Sequence, residues 1–243
     1  DGYRDFIQYS LPVMQKYNCP SSMYIVTDCI DQQLPPWTYI LDEQLYHTQK
    51  LSLDLSNTMI AGLNKKFVFR NTEERMEFGR QLKIRLKYLP NRLRIRICNR
   101  VTEQFNDVVI SENLMMTWDE IKQIQDEGVV IGSHTKTHPL LAKIESEFEL
   151  REELEVSYYQ IKSKLGVAPV TISYPVGNLS GHVLEIAEQV GYKIGLAVLQ
   201  REYNTQTDSH MRIPRIELYN ESNFKTNLRM NSTLQRIKNL VGR

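Results

Sequence analysis

Long apolar runs are absent from this chain of 243 residues. No stretch approaches the roughly 20 consecutive apolar residues that a helix needs to cross a bilayer, which excludes a transmembrane helix. Cysteine is scarce: Cys19, Cys29 and Cys98 are odd in number and show no Cys-x-x-Cys spacing. They argue against a disulfide framework, and as plain packing thiols they favour a reducing, cytoplasmic setting over a periplasmic or secreted one. The opening Asp1-Gly2-Tyr3 shows no charged-then-apolar leader, which leaves localisation open. An excess of either charge is missing too. Thirty Lys and Arg against 29 Asp and Glu leave +1, so there is no global attraction to nucleic acid or to an anionic membrane surface.

What remains is ordinary in bulk, 41% hydrophobic and 24% charged. The length suits one large α/β domain, or a domain carrying a substantial insertion. Histidine is rare, with five in all, and two of them stand four apart in Gly132-Ser133-His134-Thr135-Lys136-Thr137-His138-Pro139. This segment directly follows the apolar run Val129-Val130-Ile131, which reads as a buried strand. A tight turn after a strand, or one turn of helix, brings side chains four apart onto one side. Neutral imidazoles so placed are good ligands for a borderline divalent metal, provided that other ligands converge on them.

Along the chain, residues 5–17 carry apolar side chains at helical spacing, and Ser22–Thr27 is rich in strand formers. The texture changes from about 32 to 112, with Pro35-Pro36-Trp37 marking a loop before amphipathic segments around 41–49 and 72–89. Twelve Lys and Arg against three Glu between Lys65 and Arg100 give a local excess of +9. It reads as a solvated helix face rather than a polyanion or membrane-surface patch, because the aromatic interleaving of single-strand binders is missing. Regularity returns with capping boxes at Thr117–Glu120 and Ser146–Glu149, each opening a helix. Strands are then expected at 129–131, 170–174, 192–199 and 211–218, with helices between the first three. That rhythm predicts parallel α/β architecture, in which strand C-terminal ends carry the chemistry. His134, His138 and the turn Tyr174-Pro175-Val176-Gly177 all fall at such ends.

These residues resemble the NodB-homology polysaccharide deacetylases, carbohydrate esterase family four, in the branch with an insertion after the second strand. The family's TFDDG motif is met by its tail, Asp1-Gly2-Tyr3. Its H(S/T)xxH motif is met in full by His134-Thr135-Lys136-Thr137-His138, and its FRPPYG motif in part by Ile172-Ser173-Tyr174-Pro175-Val176-Gly177. The flanks LPVMQKYNCPSSMYIVT, MTWDEIKQIQDEGVVIGSH and RIPRIEL resemble that branch as well. The resemblance implies one NodB-like domain over 1–243, a distorted (β/α) barrel with its first strand missing and a mainly helical insertion at about 32–112.

It further implies a hydrolase of carbon–nitrogen, non-peptide bonds that deacetylates N-acetylated sugars or a polysaccharide. One divalent metal would sit on Asp1, His134 and His138, zinc being favoured and cobalt, manganese or iron possible ions. The backbone N–H of Val176 would be the oxyanion donor, with Tyr174 and Pro175 touching substrate. The family's catalytic base is the aspartate expected immediately before Asp1. Ser173 occupies the place of the usual base-orienting arginine, and Arg215 is the candidate to replace it. The family's late histidine motif has no counterpart after Ile216, which leaves His210 as a weak candidate acid. Those departures keep open an alternative, a catalytically inactive deacetylase-like protein that binds glycan. A zinc peptidase is disfavoured, because Thr135 stands where such enzymes need Glu after the first histidine.

Overall fold

The computed structural model describes residues 1–231 and residue 233. A π-turn at Phe6–Ser10 runs into α1 (Leu11–Lys16), followed by β1 (Ser22–Ile25) and α2 (Thr27–Gln32). Next come α3 (Trp37–His47), β2 (Ser52–Asp54), β3 (Lys66–Val68), α4 (Thr72–Leu86) and α5 (Asn91–Gln104). The chain then alternates through α6 (Trp118–Asp126), β4 (Val130–Ser133), α7 (Glu147–Leu165), β5 (Thr171–Ser173), α8 (Gly181–Val190) and β6 (Ile194–Val198). It continues with β7 (Ile213–Arg215) and α9 (Asn223–Met230). Among the described residues no helix is long and apolar enough to cross a membrane.

Five strands form one parallel sheet in the order β1-β4-β5-β6-β7. It is an open sheet, an unclosed barrel wall with all its strand C-termini at one edge. Asp1 adds to that edge: its nitrogen donates to Tyr24 O at 2.8 Å and its carbonyl accepts from Val26 N at 3.3 Å. Those are the two slanted bonds of a parallel ladder flanking Ile25. The backbone thus places the Asp1 side chain beside the end of β1, one strand away from β4 and its histidines.

Local chemistry explains most of the elements. Thr117 Oγ1 accepts from Glu120 N at 3.2 Å while Glu120 accepts from Thr117 N at 2.9 Å, so the first capping box closes in both directions. At Ser146 only the serine half forms, Oγ accepting from Glu149 N at 3.4 Å. Gly166, at φ +76°, ends α7 in the left-handed conformation that glycine adopts without strain. The single helix expected over 5–17 is instead a π-turn followed by α1, with Pro12 inside the first turn, where its missing N–H leaves no bond unmade.

Three apolar clusters support the chain. One lies under β1 and β4, with Ile25, Val26, Ile124, Ile131 and Ile161. One lies under β5 and α8, with Ile172, Tyr174, Ile186 and Tyr192. The third belongs to the segment between α2 and α6, where Leu45, Leu53, Leu82, Ile97 and Phe105 pack together. That segment is mainly helical as expected, but it also holds the antiparallel pair β2–β3. Three residues per strand are too few to display an alternating pattern.

Gly132 lets β4 fit between its neighbours, because a Cβ there would collide with Thr171 Oγ1 and the ring of Tyr24. Gly132→Ala is therefore expected to destabilise the fold by about 1–3 kcal/mol, as overpacking does, read as a lowered urea midpoint. An unchanged midpoint would mean that the sheet relaxes at no cost.

Candidate metal centre

The loop after β4 is unusual in its backbone. Thr135 and His138 both take left-handed φ values, +72° and +60°, although neither is glycine. Each such residue costs of order 1–3 kcal/mol and persists only where the surroundings over-determine it. Here they do. Thr135 Oγ1 accepts from His138 N at 3.1 Å, and Ser133 Oγ accepts from Thr135 N at 3.1 Å. The first turn of α2 aims Thr27 N and Asp28 N at the carbonyls of Thr135 and Lys136, at 3.2 and 3.0 Å. From α7, the Glu153 carboxylate takes Thr137 N at 2.9 Å and Thr137 Oγ1 at 2.5 Å, and the Glu153 carbonyl takes Lys136 N at 3.2 Å. Ser133 Oγ donates to Ser157 Oγ at 2.9 Å, tying the strand end to the same helix.

The loop turns both imidazoles towards Asp1. His134 Nδ1 donates to Ser173 O at 2.5 Å, which leaves Nε2 as the free lone pair. That Nε2 lies 3.3 Å from Asp1 Oδ1, and His138 Nε2 lies 3.7 Å from the same oxygen. A tetrahedral ion with bonds near 2.0–2.1 Å needs ligand atoms about 3.3 Å apart, a spacing that the two distances to Asp1 Oδ1 approach. Asp1, His134 and His138 therefore fit a divalent metal, each offering an atom within 4.8 Å of the others. They are the only His/Cys/Asp/Glu group of this kind among the described residues.

Electrostatics favours the same use. Burial drives both imidazoles towards the neutral, metal-competent form, and His138 is pushed down to about 3. For His134 the neighbouring His138 and the Arg215 guanidinium add to the effect of burial. His138 Nδ1 is buried without a hydrogen-bond partner among the described residues.

The other residues singled out in the sequence fall in several places. Arg215 ends β7 beside Val198 of β6, its Nε donating to Ala197 O at 3.4 Å, with its charge felt at His134. Val176 sits in the tight turn 175–177 at φ +57°, a strained value for a β-branched residue, and is 45% exposed. Tyr174 is wholly buried in the cluster beneath that turn and Pro175 is buried as well, so neither presents its side chain to a ligand. Their contribution is to carry the turn. His210 precedes β7, at the N-terminal edge of a parallel sheet, whereas the metal ligands lie at the C-terminal edge. It is exposed and pairs with the Tyr203 hydroxyl at 3.1 Å, which takes it out of this site. His182 and His47 lie near Glu147 and Glu43 on helix surfaces, away from the cluster.

Sequence reasoning missed three supporting residues. Trp37 Nε1 donates to His138 O at 3.3 Å, so a residue of the inserted segment holds a candidate ligand. The buried Arg94 of α5 stacks on that indole, 4.9 Å from the ring centroid, and donates to Asn91 Oδ1 at 3.2 and 2.6 Å. Glu153, the anchor of Thr137, is a carboxylate raised in pKa by burial and lowered again by the Thr137 bonds. The signals were faint: one of two tryptophans directly after Pro-Pro, and one acid beside Leu150 and Leu154 on a helix.

Residues 102–195 match the polysaccharide deacetylase family. A peptidoglycan-N-acetylglucosamine deacetylase from Bacillus cereus is 33% identical over 86 residues, which are 35% of this chain and 31% of that protein. The match thus spans less than a third of the relative's length. Two solved structures share the fold. A Streptococcus pyogenes deacetylase, PplD, solved with acetate, aligns at a TM-score of 0.56 and 14% identity over 94% of this chain and 66% of that one. A de-N-acetylase from Aggregatibacter actinomycetemcomitans aligns at 0.54 and 18% identity over 93% and 71%. The resemblance expected from the motifs is borne out over residues 102–195, and the parallel α/β fold is shared with these structures, with an open sheet where a distorted barrel was expected.

Elemental analysis is expected to find one divalent ion per chain, lost in His134→Ala and His138→Ala. Trp37→Phe keeps the ring and removes the donor to His138, and should weaken metal affinity by roughly tenfold with little change in melting temperature. Undiminished affinity in Trp37→Phe would show that His138 is held without it.

Proposed function

From a chain whose residues 102–195 belong with the polysaccharide deacetylases, we propose a metal-dependent hydrolase that removes acetyl groups from N-acetylated sugars or a polysaccharide. The observation that carries this is the convergence of Asp1, His134 and His138 at the C-terminal edge of the sheet. In this reading residues 1–243 are one deacetylase domain with an insertion at about 32–112. The bound ion is zinc by preference, given two imidazole ligands.

Amide resonance makes an N-acetyl carbonyl a poor electrophile, so its hydrolysis needs activation at both the oxygen and the attacking water. When bound, a divalent metal polarises that carbonyl and lowers the pKa of water towards ~7. Asp1, His134 and His138 would hold it, and the Ser173 carbonyl fixes the His134 tautomer. The strained turn at Val176 offers its backbone N–H to the developing oxyanion, an interaction typically worth about 3 kcal/mol. The proton of the water passes to the base that the resemblance places ahead of Asp1, and Arg215 orients that base. The water oxygen bonds to the carbonyl carbon, and the base hands its proton to the leaving nitrogen as the C–N bond breaks, giving acetate and a free amine. A second reading, a glycan-binding relative without turnover, is favoured by Ser173 standing in the arginine's place.

The test is acetate release from N-acetylated glycans by the full gene product. Release should depend on added metal and vanish in His134→Ala. Arg215→Lys should lower kcat by roughly 100-fold with KM little changed, since it removes positioning rather than substrate binding. Bound metal with no acetate from any N-acetyl glycan would sink the enzyme reading, and glycan binding without turnover would select the second.

A further inference from the structure

The +9 excess of the inserted segment resolves into separate roles in the structure. Arg70 pairs with Glu74, Arg80 with Glu77 and Lys83 with Asp42. Arg75 is buried and donates to the carbonyls of Leu45 and Tyr46 in the last turn of α3 and of Lys50 beyond it. Arg94 is buried on Trp37. What is left on α5 is Arg92, Arg96 and Arg100, at i, i+4 and i+8, all exposed and on one face. Successive guanidinium stems stand about 6 Å apart along the helix axis.

That face forms one wall of a groove of about 570 Å³, the other wall being the loop of Ser56, Asn57 and Thr58. Arg92 has no ion-pair partner among the described residues. Among the described residues Arg96 donates only to Asn57 O, at 3.3 Å, and Arg100 lies 3.5 Å from Glu103, the one carboxylate of the described lining. Asn99 joins Asn57 in offering side-chain amides, with Ser56 beside them, while the Thr58 hydroxyl is buried without a hydrogen-bond partner among the described residues. Ile95 is the one apolar side chain of the lining.

We propose that this groove binds an anionic polysaccharide, a glycan chain bearing repeated carboxylate or phosphate groups. Three guanidinium groups in a row match charges repeated along a polymer, and amides with hydroxyls between them suit sugar hydroxyls. Among the described residues the groove contains no aromatic ring on which a nucleobase could stack, which favours glycan over single-stranded nucleic acid. Read as a hold on the polymer to be deacetylated, the inference rests on the function proposed above.

Affinity electrophoresis of the full chain tests it, with polygalacturonate (carboxylate), phosphomannan (phosphate), neutral dextran and oligothymidylate as probes. Retention by one or both anionic glycans and not by dextran is expected, weakening as salt rises. The triple variant R92Q/R96Q/R100Q should lose affinity roughly tenfold or more, and R92K/R96K/R100K should keep most of it. Both should retain the wild-type melting temperature and hydrolysis of a small neutral N-acetylated sugar. Equal retention by dextran, no retention by either anionic glycan, or indifference to the glutamine variant would overturn the proposal. Tighter binding of oligothymidylate would replace it with a nucleic-acid site. Loss of acetate release with retention intact counts against the catalytic reading alone.

Discussion

Two imidazoles buried against one carboxylate are the interaction on which the rest of this structure depends. In water each histidine would titrate near pH 6.5, and protons would compete with a metal for its lone pair. Burial removes that competition, since neither His134 nor His138 holds a proton easily where the structure puts it. The bond from His134 Nδ1 to the Ser173 carbonyl then decides which nitrogen is left to ligate. Desolvating two polar rings is unfavourable unless Nε2 gains a partner, and Asp1 supplies the negative charge that attracts one. The site is thus arranged for a cation by its donors and by its dielectric together.

Holding the rings there requires a backbone that polypeptides avoid. Two non-glycine residues of the loop lie in the left-handed region, and a free loop would relax out of it. The opposing bonds come from separate parts of the chain: the first turn of α2, the buried carboxylate of Glu153 on α7, Ser133 on β4, and the indole of Trp37. Each is a net contribution of about 1 kcal/mol, so no single one suffices. Precision in the ligand pair is therefore a property of the folded whole. The same logic applies at Val176, where the turn is carried on the buried Tyr174 and Pro175.

Much of this was legible in the sequence because it is local. The strand before His134, the spacing of four, the cap at Thr117 and the glycine stop at Gly166 are decided within a few residues, and the structure follows them. Arg215 was readable because β7 is parallel to β6, which brings its C-terminal residue to the functional edge. His210 misled for the opposite reason: five positions earlier in the chain puts it on the far edge of the same short strand. Tyr174 and Pro175 misled because a motif names residues without saying whether they face the ligand or the core. Trp37, Arg94 and Glu153 were not legible, since their importance lies in contacts spanning 101 residues from Trp37 to His138 and 16 from Thr137 to Glu153.

Charge shows the limit of counting most plainly. Twelve basic residues in 36 positions look like one feature, yet arginine serves three unrelated purposes there. Arg75 spends its donors on carbonyl groups in the last turn of α3 and on that of Lys50 beyond it. Arg94 has its planar cation on an aromatic face, where burial lowers its pKa and the Glu153 charge opposes that shift. Only arginines that the fold leaves exposed, with neither a carbonyl array nor an aromatic face to engage them, keep their charge available to something outside the chain. On α5 the helical period makes that separation: 94, 97 and 101 face the apolar cluster, and 92, 96 and 100 face away. A segment's net charge therefore says little about binding until the helix has turned its arginines to one side or the other. Because Arg94 also supports the indole that holds His138, the helix presenting the outward arginines is packed directly against the support of the candidate metal centre.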